Sequence, residues 1–560
     1  MTKHLLQRML SIVALLAPAF AATQASAATC ASLAGLTLPD TAITAAQSIP
    51  AGTYTAPDGE VFPGLPAFCR VAATLTPSSD SNIKIEVWLP SAGWNGKYEG
   101  TGNGGYAGTI IYNVLADGLT RGYAVANTDM GTAPATTLDG SPLVGHPEKW
   151  KDWGYRATHV MTVAAKRIVH AFYGKHARLS YFSGCSTGGE QALMEAQRYP
   201  EDYDGIVGGD PGHNRTHLHT AFVWTWLAGQ RTPASVLPFD KLALLNSAVL
   251  AACGTQDGAL KADGFLNDPR DCHFDPKVLQ CSGADAPTCL TSAQAQAAAA
   301  IYDGPHNPRN QHLIYPGWPR GSEGIPVIWP FLEGLLSPEP AFDGLFKWVF
   351  GANWDWRTFD FDRDMATVDA VLGPILNATD PDLGRFKAHG GKLILYHGQA
   401  DAIVAPQDTI NYYNEVVATE RRRGDDDERD RDDRRDDRAL ERTQDFARLF
   451  LAPGMSHCGG GPGPNVFNGA DNPGGPQDAD HDVLSALDRW IAQGVAPERI
   501  IATKYVNDNP AAGVAMTRPL CVYPKLAHYK GAGDTSNAGN FVCREDEADA
   551  NQVPAPEYRR

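Results

Sequence analysis

The stretch GCSTG at residues 184–188 places a serine between two glycines, in the pattern G-x-S-x-G. The pattern alone is weak evidence, but its surroundings strengthen it. Leu179 to Phe182 are typical of a short buried strand, and residues 189–199 have the composition and periodicity of a helix. A serine at such a turn adopts strained backbone angles and needs small residues two positions to either side. The sequence therefore predicts that Ser186 is a nucleophile at a sharp strand-to-helix turn.

Further strands and helices alternate along the chain. Ile83 to Leu89 alternate as a half-buried strand, whereas Tyr123 to Asn127, Lys392 to Tyr396 and Arg448 to Leu451 are short and apolar. His159 to Tyr173 have helical periodicity. This alternation indicates an α/β fold with a largely parallel sheet.

The strand signals are interrupted once over a long stretch. Residues 212–379 are irregular and rich in Trp, Pro, Gly and Cys, which predicts a lid domain inserted between two parts of a core, 28–211 and 380–560. A loop-rich second half of a single domain is the alternative. The charge-mixed run at 420–442 is expected to be a solvated surface insertion.

The first 27 residues have the features of a signal peptide. Lys3 and Arg8 precede an apolar stretch, and Ala25-Ser26-Ala27 matches the A-x-A cleavage pattern. We therefore expect a secreted or periplasmic protein, with no later segment suited to crossing a membrane. The net charge of −17 argues against partners such as nucleic acid or an anionic membrane surface.

The ten cysteines are an even number, which suits disulfides in an oxidising compartment. No pair of C-x-x-C knuckles supports the rival interpretation, a zinc site. Spacing favours three local pairs, elimination gives a fourth, and two cysteines remain for each other, although two separate buried thiols are an alternative for those two. The expected pairs are Cys281–Cys289, Cys253–Cys272, Cys521–Cys543, Cys30–Cys69 and Cys185–Cys458.

An acid and a base should follow the nucleophile in the order Ser, Asp, His. Asp401 lies just after the strand at Lys392, with Asp408 as the second choice, and His457 lies in a loop after the next strand. Ser186 would attack an acyl carbon and His457 would accept its proton. Asp401 would orient the imidazole and stabilise its charged form.

A hydrolase of this kind also needs two backbone N–H donors for the oxyanion. Thr187, the residue after the nucleophile, supplies one, and the glycine-rich stretch at 100–105, with Gly104 and Gly105, is expected to supply the other. The same stretch matches G-x-G-x-x-G. It is not a dinucleotide site, because no clear amphipathic helix follows and no acidic residue lies at the expected offset.

At this point three motifs carry a resemblance to a known family: GCSTGG at 184–189, HGQAD at 397–401 and GMSHCG at 454–459. The chain resembles the tannase and feruloyl esterase family, which includes mono(2-hydroxyethyl) terephthalate hydrolases. The resemblance implies an α/β-hydrolase core with a large inserted lid, a disulfide between Cys185 and Cys458, and hydrolysis of hydroxy-aromatic acid esters. It also implies that His397 lines the substrate pocket.

The loop between Cys253 and Cys272 is rich in Asp and Gly, a composition that suits calcium. In the family this lid loop holds a structural calcium, with the pattern C-D-x-x-D-G-x-x-D-G. Here Gly254 replaces the first Asp and two extra residues intervene. A plain acidic loop tied by a disulfide is the alternative. The match gives the ligands as the side chains of Asp257 and Asp263 and the carbonyls of Ala259 and Phe265.

These features together predict a secreted serine esterase that cleaves feruloyl- or galloyl-type esters through an acyl-enzyme. Its partner would be a small aromatic ester, and the chemistry would need no cofactor. One alternative is a terephthalate monoester or short polyester hydrolase. From another class, the alternative is a non-catalytic ligand-binding protein on a hydrolase scaffold.

Overall fold

The computed structural model describes most of the chain after its first residues. No helix in the described part is long and apolar enough to cross a membrane. The predicted signal peptide at 1–27 and the centre of the charged run lie outside the described residues. The described ranges are 29–256, 258–326, 328–336, 340, 342–425, 434–469 and 472–545.

The strands and helices are numbered in chain order. The strands are β1 Thr41–Ile49, β2 Gly52–Thr55, β3 Val61–Leu65, β4 Phe68–Leu75, β5 Ile83–Pro90, β6 Lys97–Thr101, β7 Ala124–Thr128, β8 Leu179–Cys185, β9 Gly205–Gly209, β10 Lys392–Gly398, β11 Ala447–Ala452, β12 Arg499–Tyr505, β13 Val514–Cys521, β14 Lys525–Tyr529 and β15 Phe541–Glu545. The helices are α1 Tyr112–Thr120, α2 Pro147–Lys151, α3 Ala157–Tyr173, α4 Thr187–Arg198, α5 Arg215–Gln230, α6 Phe239–Cys253, α7 Ser292–Asp303, α8 Ile328–Leu332, α9 Gly344–Phe350, α10 Arg363–Leu376, α11 Gly384–His389, α12 Pro406–Asp425, α13 Arg434–Gln444 and α14 Val483–Gln493.

A nine-stranded sheet runs through the molecule in the order β1-β4-β5-β7-β6-β8-β9-β10-β11. The pairings β1–β4, β4–β5 and β5–β7 are antiparallel. From β7 to β11 all neighbouring strands run parallel. The predicted α/β fold with a largely parallel sheet is confirmed, and the structure adds an antiparallel portion at the N-terminal end.

The sheet is covered by helices on both faces, as the alternation along β10 shows. Leu393 and Leu395 belong to the same apolar core as residues of α3 and α12. Ile394 and Tyr396 belong to a second core with residues of α14. Successive residues of a strand point to opposite faces, so β10 is buried on both sides, as an interior parallel strand requires.

Residues 212–379 lie between β9 and β10 in the chain, and their described part contains helices α5 to α10 and none of the numbered strands. Leu218, Leu245 and Ile301 form part of a separate apolar core. Phe346 and Val368, however, pack into the core of the main sheet. The insertion therefore rests firmly on the sheet, and its boundaries as a lid domain stay a prediction.

The charged run is helical where it is described. Its first residues end α12 and its last residues lie in α13, while 426–433 are outside the described residues. Glu420 is buried and forms ion pairs with Lys387 and Arg423, at 2.5 and 2.9 Å. This part of the run therefore packs against its surroundings and is not a fully solvated insertion.

All five expected disulfides are present, and none of the described cysteines is free. The bridge between Cys185 and Cys458 spans 273 positions, with Cα atoms 5.9 Å apart. The other four close short loops of 8 to 39 positions. Spacing thus predicted three of the pairs, and elimination and the family resemblance gave the other two.

The acidic loop expected to hold calcium has a different partner in its described part. The carboxylate of Asp263 lies 2.7 Å from the guanidinium of Arg518, and both side chains are buried. Asp268 forms an ion pair with Arg270, and Asp257 lies outside the described residues. Arg518 thus neutralises Asp263, one of the four predicted ligands, and calcium binding stays a prediction of the sequence.

Glu99, in the interior strand β6, gives a pH-dependent contribution to stability. Burial raises its pKa from 4.5 to about 7, although the charge of Arg121 and a hydrogen bond from Ser183 oppose the shift. Between these two pH values the folded chain holds a proton that the unfolded chain has lost. Stability from this group is therefore greatest below pH 4.5 and falls as the pH rises towards 7.

We therefore expect Glu99→Gln to reduce the fall in melting temperature between about pH 5 and pH 8. The measurement is a thermal melt of both proteins at each pH. Replacing the exposed Asp58 with Asn is the matched control and should leave the fall unchanged. If the melting temperature falls equally with pH in wild type and in Glu99→Gln, Glu99 is not the source of the pH dependence.

Arg518→Ala should lower the melting temperature markedly, because it leaves the buried carboxylate of Asp263 without its partner. Breaking a buried pair costs about 3–5 kcal/mol. Arg499→Ala, at an exposed arginine of the neighbouring strand β12, is the control. A chelator added to wild type tests the calcium prediction separately. A large fall in melting temperature would support bound calcium, and an unchanged melting temperature would contradict it.

Candidate active site

Ser186 lies at the turn between β8 and α4, where the sequence places it. Its φ of 63° and ψ of −116° lie in a region that residues other than glycine rarely adopt. The turn is held by its backbone N–H, which donates to the carbonyl of Gly209 at 3.0 Å. Strain of this kind persists only where the surroundings determine it, and here it exposes the hydroxyl beyond the end of the sheet.

Three side chains that are far apart in the sequence meet at this turn. His457 Nε2 lies 2.8 Å from the hydroxyl of Ser186, and Nδ1 lies 2.7 Å from Oδ2 of Asp401. Both distances are those of hydrogen bonds. The order along the chain and the order in space are those that the sequence predicts.

Asp401 is fully buried and keeps a well-satisfied carboxylate. Oδ1 accepts hydrogen bonds from the backbone amides of Ile403 and Val404, at 2.7 and 3.0 Å. Burial alone would raise the pKa of Asp401, but the charge of His457 and hydrogen bonds from His397 and His457 outweigh it and hold the pKa below its usual range. Asp401 is therefore ionised and can orient an Nδ1–H of His457.

His397 has no exposed surface in this structure, and its predicted contact with the substrate stays a prediction. Its side chain is fully buried behind Asp401, with Nε2 3.3 Å from Asp401 Oδ2 and 2.9 Å from the carbonyl of Val404. The residue precedes the loop of Asp401 and points inward, a direction that the sequence motif does not reveal. Asp408, the second choice for the acid, lies in α12 beside His213 and Asn214.

One buried acid near the site was missed by the sequence analysis. Asp210 directly follows β9, and its carboxylate contacts the backbone of Gly398 and Cys458. An aspartate at the carboxyl end of a parallel strand is a signal that could have singled it out. Its neighbours GG and PG at 208–209 and 211–212 gave it the appearance of an ordinary turn residue.

The glycine-rich stretch at 100–105 lies against the nucleophile turn. The N–H of Gly188 donates to the carbonyl of Asn103 at 2.7 Å, and the hydroxyl of Thr187 donates to the carbonyl of Gly105 at 2.8 Å. Gly105 has a φ of 51°, and a Cβ there would lie 1.9 Å from a backbone oxygen. The three candidate donors, Thr187, Gly104 and Gly105, are thus on adjoining backbone segments.

This arrangement supports proton transfer and nucleophilic attack. A proton can pass from the hydroxyl of Ser186 to Nε2 of His457, while the ionised Asp401 stabilises the imidazolium that results. The N-terminal end of α4, which begins directly after Ser186, favours negative charge developing next to it. These are the requirements of acyl transfer through a serine.

Gly102→Ala should damage both fold and activity, because the two backbone segments approach closely there. A Cβ on Gly102 would lie 2.5 Å from the Cα of Gly188 and 2.9 Å from that of Gly184. We expect a lower melting temperature and a lower kcat on an aryl ester. Gly283→Ala is the control, since this glycine is exposed and its Cβ would meet nothing within 4 Å. Equal melting temperatures and equal kcat values for the two variants would contradict the close approach of the backbone at Gly102 to that at Gly184 and Gly188.

Comparison with known proteins agrees with the fold and the motifs. Residues 69–544 match the family described as tannase and feruloyl esterase. An uncharacterised esterase of Xanthomonas campestris is 41% identical over 553 residues, which cover 95% of this chain and 94% of the relative. A probable feruloyl esterase B-2 of Aspergillus flavus is 32% identical, covering 81% of this chain and 83% of its own.

Solved structures of the same family share this fold. The crystal structure of feruloyl esterase B from Aspergillus oryzae superposes with a TM-score of 0.81 at 27% identity, covering 92% of this chain and 99% of the other. A tannin acyl hydrolase from Aspergillus niger, at 18% identity and a TM-score of 0.68, shares the fold, with 91% and 92% covered. This chain therefore belongs to the tannase and feruloyl esterase family and is a carboxylic ester hydrolase.

Proposed function

We propose that the enzyme cleaves esters of hydroxy-aromatic acids through Ser186, His457 and Asp401, by way of an acyl-enzyme. The observation that carries the proposal is the continuous hydrogen-bonded chain of these three residues at the strained turn. Because members of the family are esterases, these three hydrogen-bonded residues are best explained as a catalytic arrangement rather than a structural one. Esterase activity in the family also disfavours a ligand-binding protein without catalysis.

In the first half-reaction Ser186 Oγ attacks the carbonyl carbon of the ester while His457 Nε2 takes its proton. The tetrahedral intermediate collapses when His457 returns this proton to the leaving alcohol, and the acyl group stays on Ser186. In the second half-reaction water takes the place of the alcohol. His457 removes its proton, and the free acid leaves.

The negative oxygen of each tetrahedral intermediate needs donors that are already in place. We assign this role to the backbone N–H of Thr187 and to N–H groups of Gly104 and Gly105. Support comes from the hydrogen bond between the hydroxyl of Thr187 and the carbonyl of Gly105, which holds the nucleophile turn beside the glycine-rich stretch. The side chain of Gln191 fixes the same stretch, because it accepts from the N–H of Asn103 at 2.8 Å.

An aromatic acyl group suits the surroundings of these loops. Tyr106 directly follows the oxyanion stretch, and its ring contacts those of His219 and Phe342 from the insertion. On the other side, the hydroxyl of Tyr315 accepts from the N–H of Ala405, close to Asp401. Aromatic side chains from the insertion thus pack near both the oxyanion stretch and the acid loop. The match to the tannase and feruloyl esterase family is what favours feruloyl- or galloyl-type substrates.

Export of the enzyme is also part of the proposal. Five disulfides in one chain suit an oxidising compartment, and the signal-peptide pattern at 1–27 suits secretion or the periplasm. A small aromatic ester is the only partner that the proposal requires.

Ser186→Ala should reduce kcat on aryl esters by a factor on the order of 10⁴ to 10⁶, because no other side chain takes the acyl group. A fluorophosphonate should label wild type at Ser186 and leave the variant unlabelled. The melting temperature should stay close to that of wild type. Substantial activity in the folded variant would overturn the assignment of the nucleophile.

A panel of feruloyl, galloyl, chlorogenate and terephthalate monoesters tests the substrate class. We expect the highest kcat/KM on a hydroxy-aromatic ester. A clear preference for the terephthalate monoester would replace the proposed substrate class and would leave the catalytic residues as assigned. Ser183→Ala is the matched control. The hydroxyl of Ser183 donates to Glu99 and lies outside the triad, so this variant should keep the order of preference of wild type.

A further inference from the structure

Asp210 has an unusual environment directly beneath the catalytic loops. It follows β9, its side chain is fully buried, and its φ of 38° is in the left-handed region that aspartate adopts only occasionally. A buried carboxylate needs hydrogen-bond donors or an opposite charge to offset its loss of hydration. The hydrogen-bond donors to the Asp210 carboxylate come from the loops that carry the acid and the base.

The two carboxylate oxygens of Asp210 accept from two different loops. Oδ1 accepts the N–H of Gly398 at 2.7 Å, three positions before Asp401. Oδ2 accepts the N–H of Cys458 at 2.9 Å, the residue directly after His457. Oδ2 also lies 3.2 Å from the sulfur of Cys185, which has no hydrogen to donate because it is in a disulfide.

One carboxylate therefore contacts residues close to the acid, the base and the nucleophile. We propose that Asp210 is a positioning residue, which holds the loops of Asp401 and His457 in register with Ser186 and partly duplicates the tie made by the Cys185–Cys458 disulfide. The proposal rests on the assignment of these three residues in the proposed function. Asp210 itself touches neither substrate nor reacting atoms.

His397 explains how two carboxylates can remain so close together. Its Nε2 lies 3.5 Å from Asp210 Oδ1 and 3.3 Å from Asp401 Oδ2. Its Nδ1 lies 2.8 Å from the hydroxyl of Thr409. Burial lowers the pKa of His397, but the charges of Asp210 and Asp401 and a hydrogen bond to Asp401 outweigh it and raise the pKa. The raised pKa favours the protonated imidazole, whose charge between the two acids offsets their mutual repulsion.

Asp210→Asn is the sharpest variant, since an amide offers one acceptor where the carboxylate offers two. Either Gly398 or Cys458 then loses its acceptor and faces an N–H₂ group instead. We expect kcat to fall about 10- to 100-fold with KM changed by less than about 3-fold, as for a fault in alignment rather than in substrate binding. Labelling of Ser186 by a fluorophosphonate should slow in parallel.

Asp204→Asn is the matched control, from the other end of the same strand. Asp204 Oδ2 accepts from the backbone N–H of Ser180 at 2.7 Å, so this variant also weakens a bond between aspartate and backbone. It should lower the melting temperature without changing kcat. If both variants lose stability and kcat in the same proportion, Asp210 is only structural and the proposal is overturned. If Asp210→Asn does not fold, Asp210→Ser, which is smaller, replaces it in the comparison.

The duplication is tested by removing the disulfide with Cys185→Ala and Cys458→Ala together. Adding Asp210→Asn to this pair should reduce kcat by more than the product of the separate losses, because each tie compensates for the other. A purely multiplicative loss would overturn the duplication. Wild-type kcat in Asp210→Asn, with Ser186→Ala inactive, would overturn the role of Asp210 alone. An active Ser186→Ala would instead overturn the proposed function.

Discussion

The hydrogen bond between Ser186 and His457 joins residues 271 positions apart, and the remaining features of the site depend on keeping that contact. The Cys185–Cys458 disulfide closes the same loop covalently, through the direct neighbours of the two residues. In the chain-entropy description, a loop of this length stabilises the folded state by on the order of 5 kcal/mol. The bond that restricts the unfolded chain is therefore also the bond that aligns the nucleophile with its base.

The sheet brings the catalytic loops together before any side chain is considered. Strands β8, β9, β10 and β11 are consecutive neighbours and parallel, so their carboxyl ends meet at one edge. Ser186, Asp210, Asp401 and His457 follow these four strands in that order. Four loops from adjacent strands need little movement to converge, which is why open α/β sheets place their sites at this edge.

Much of this could be predicted from the sequence, because the signals were local. The order of Ser186, Asp401 and His457 and the spacing of the cysteines needed no knowledge of tertiary contacts. The interior strands β6 and β9 were missed, since the latter, GIVGG, has the composition of a turn, and its glycines are explained by close packing. At Gly209 a Cβ would lie 2.0 Å from the ring of Tyr396 on β10, a strand that is adjacent in the sheet but far away in the sequence.

The buried charges could not be predicted, because each depends on a partner far away in the chain. His397 is 187 positions from Asp210, and Asp263 is 255 positions from Arg518. In both cases a cationic side chain lies against buried carboxylates, where a motif suggested a substrate contact or a metal. Since a buried carboxylate must be neutralised or hydrogen-bonded, a motif can show that a partner is needed, whereas only the fold determines which cation supplies it.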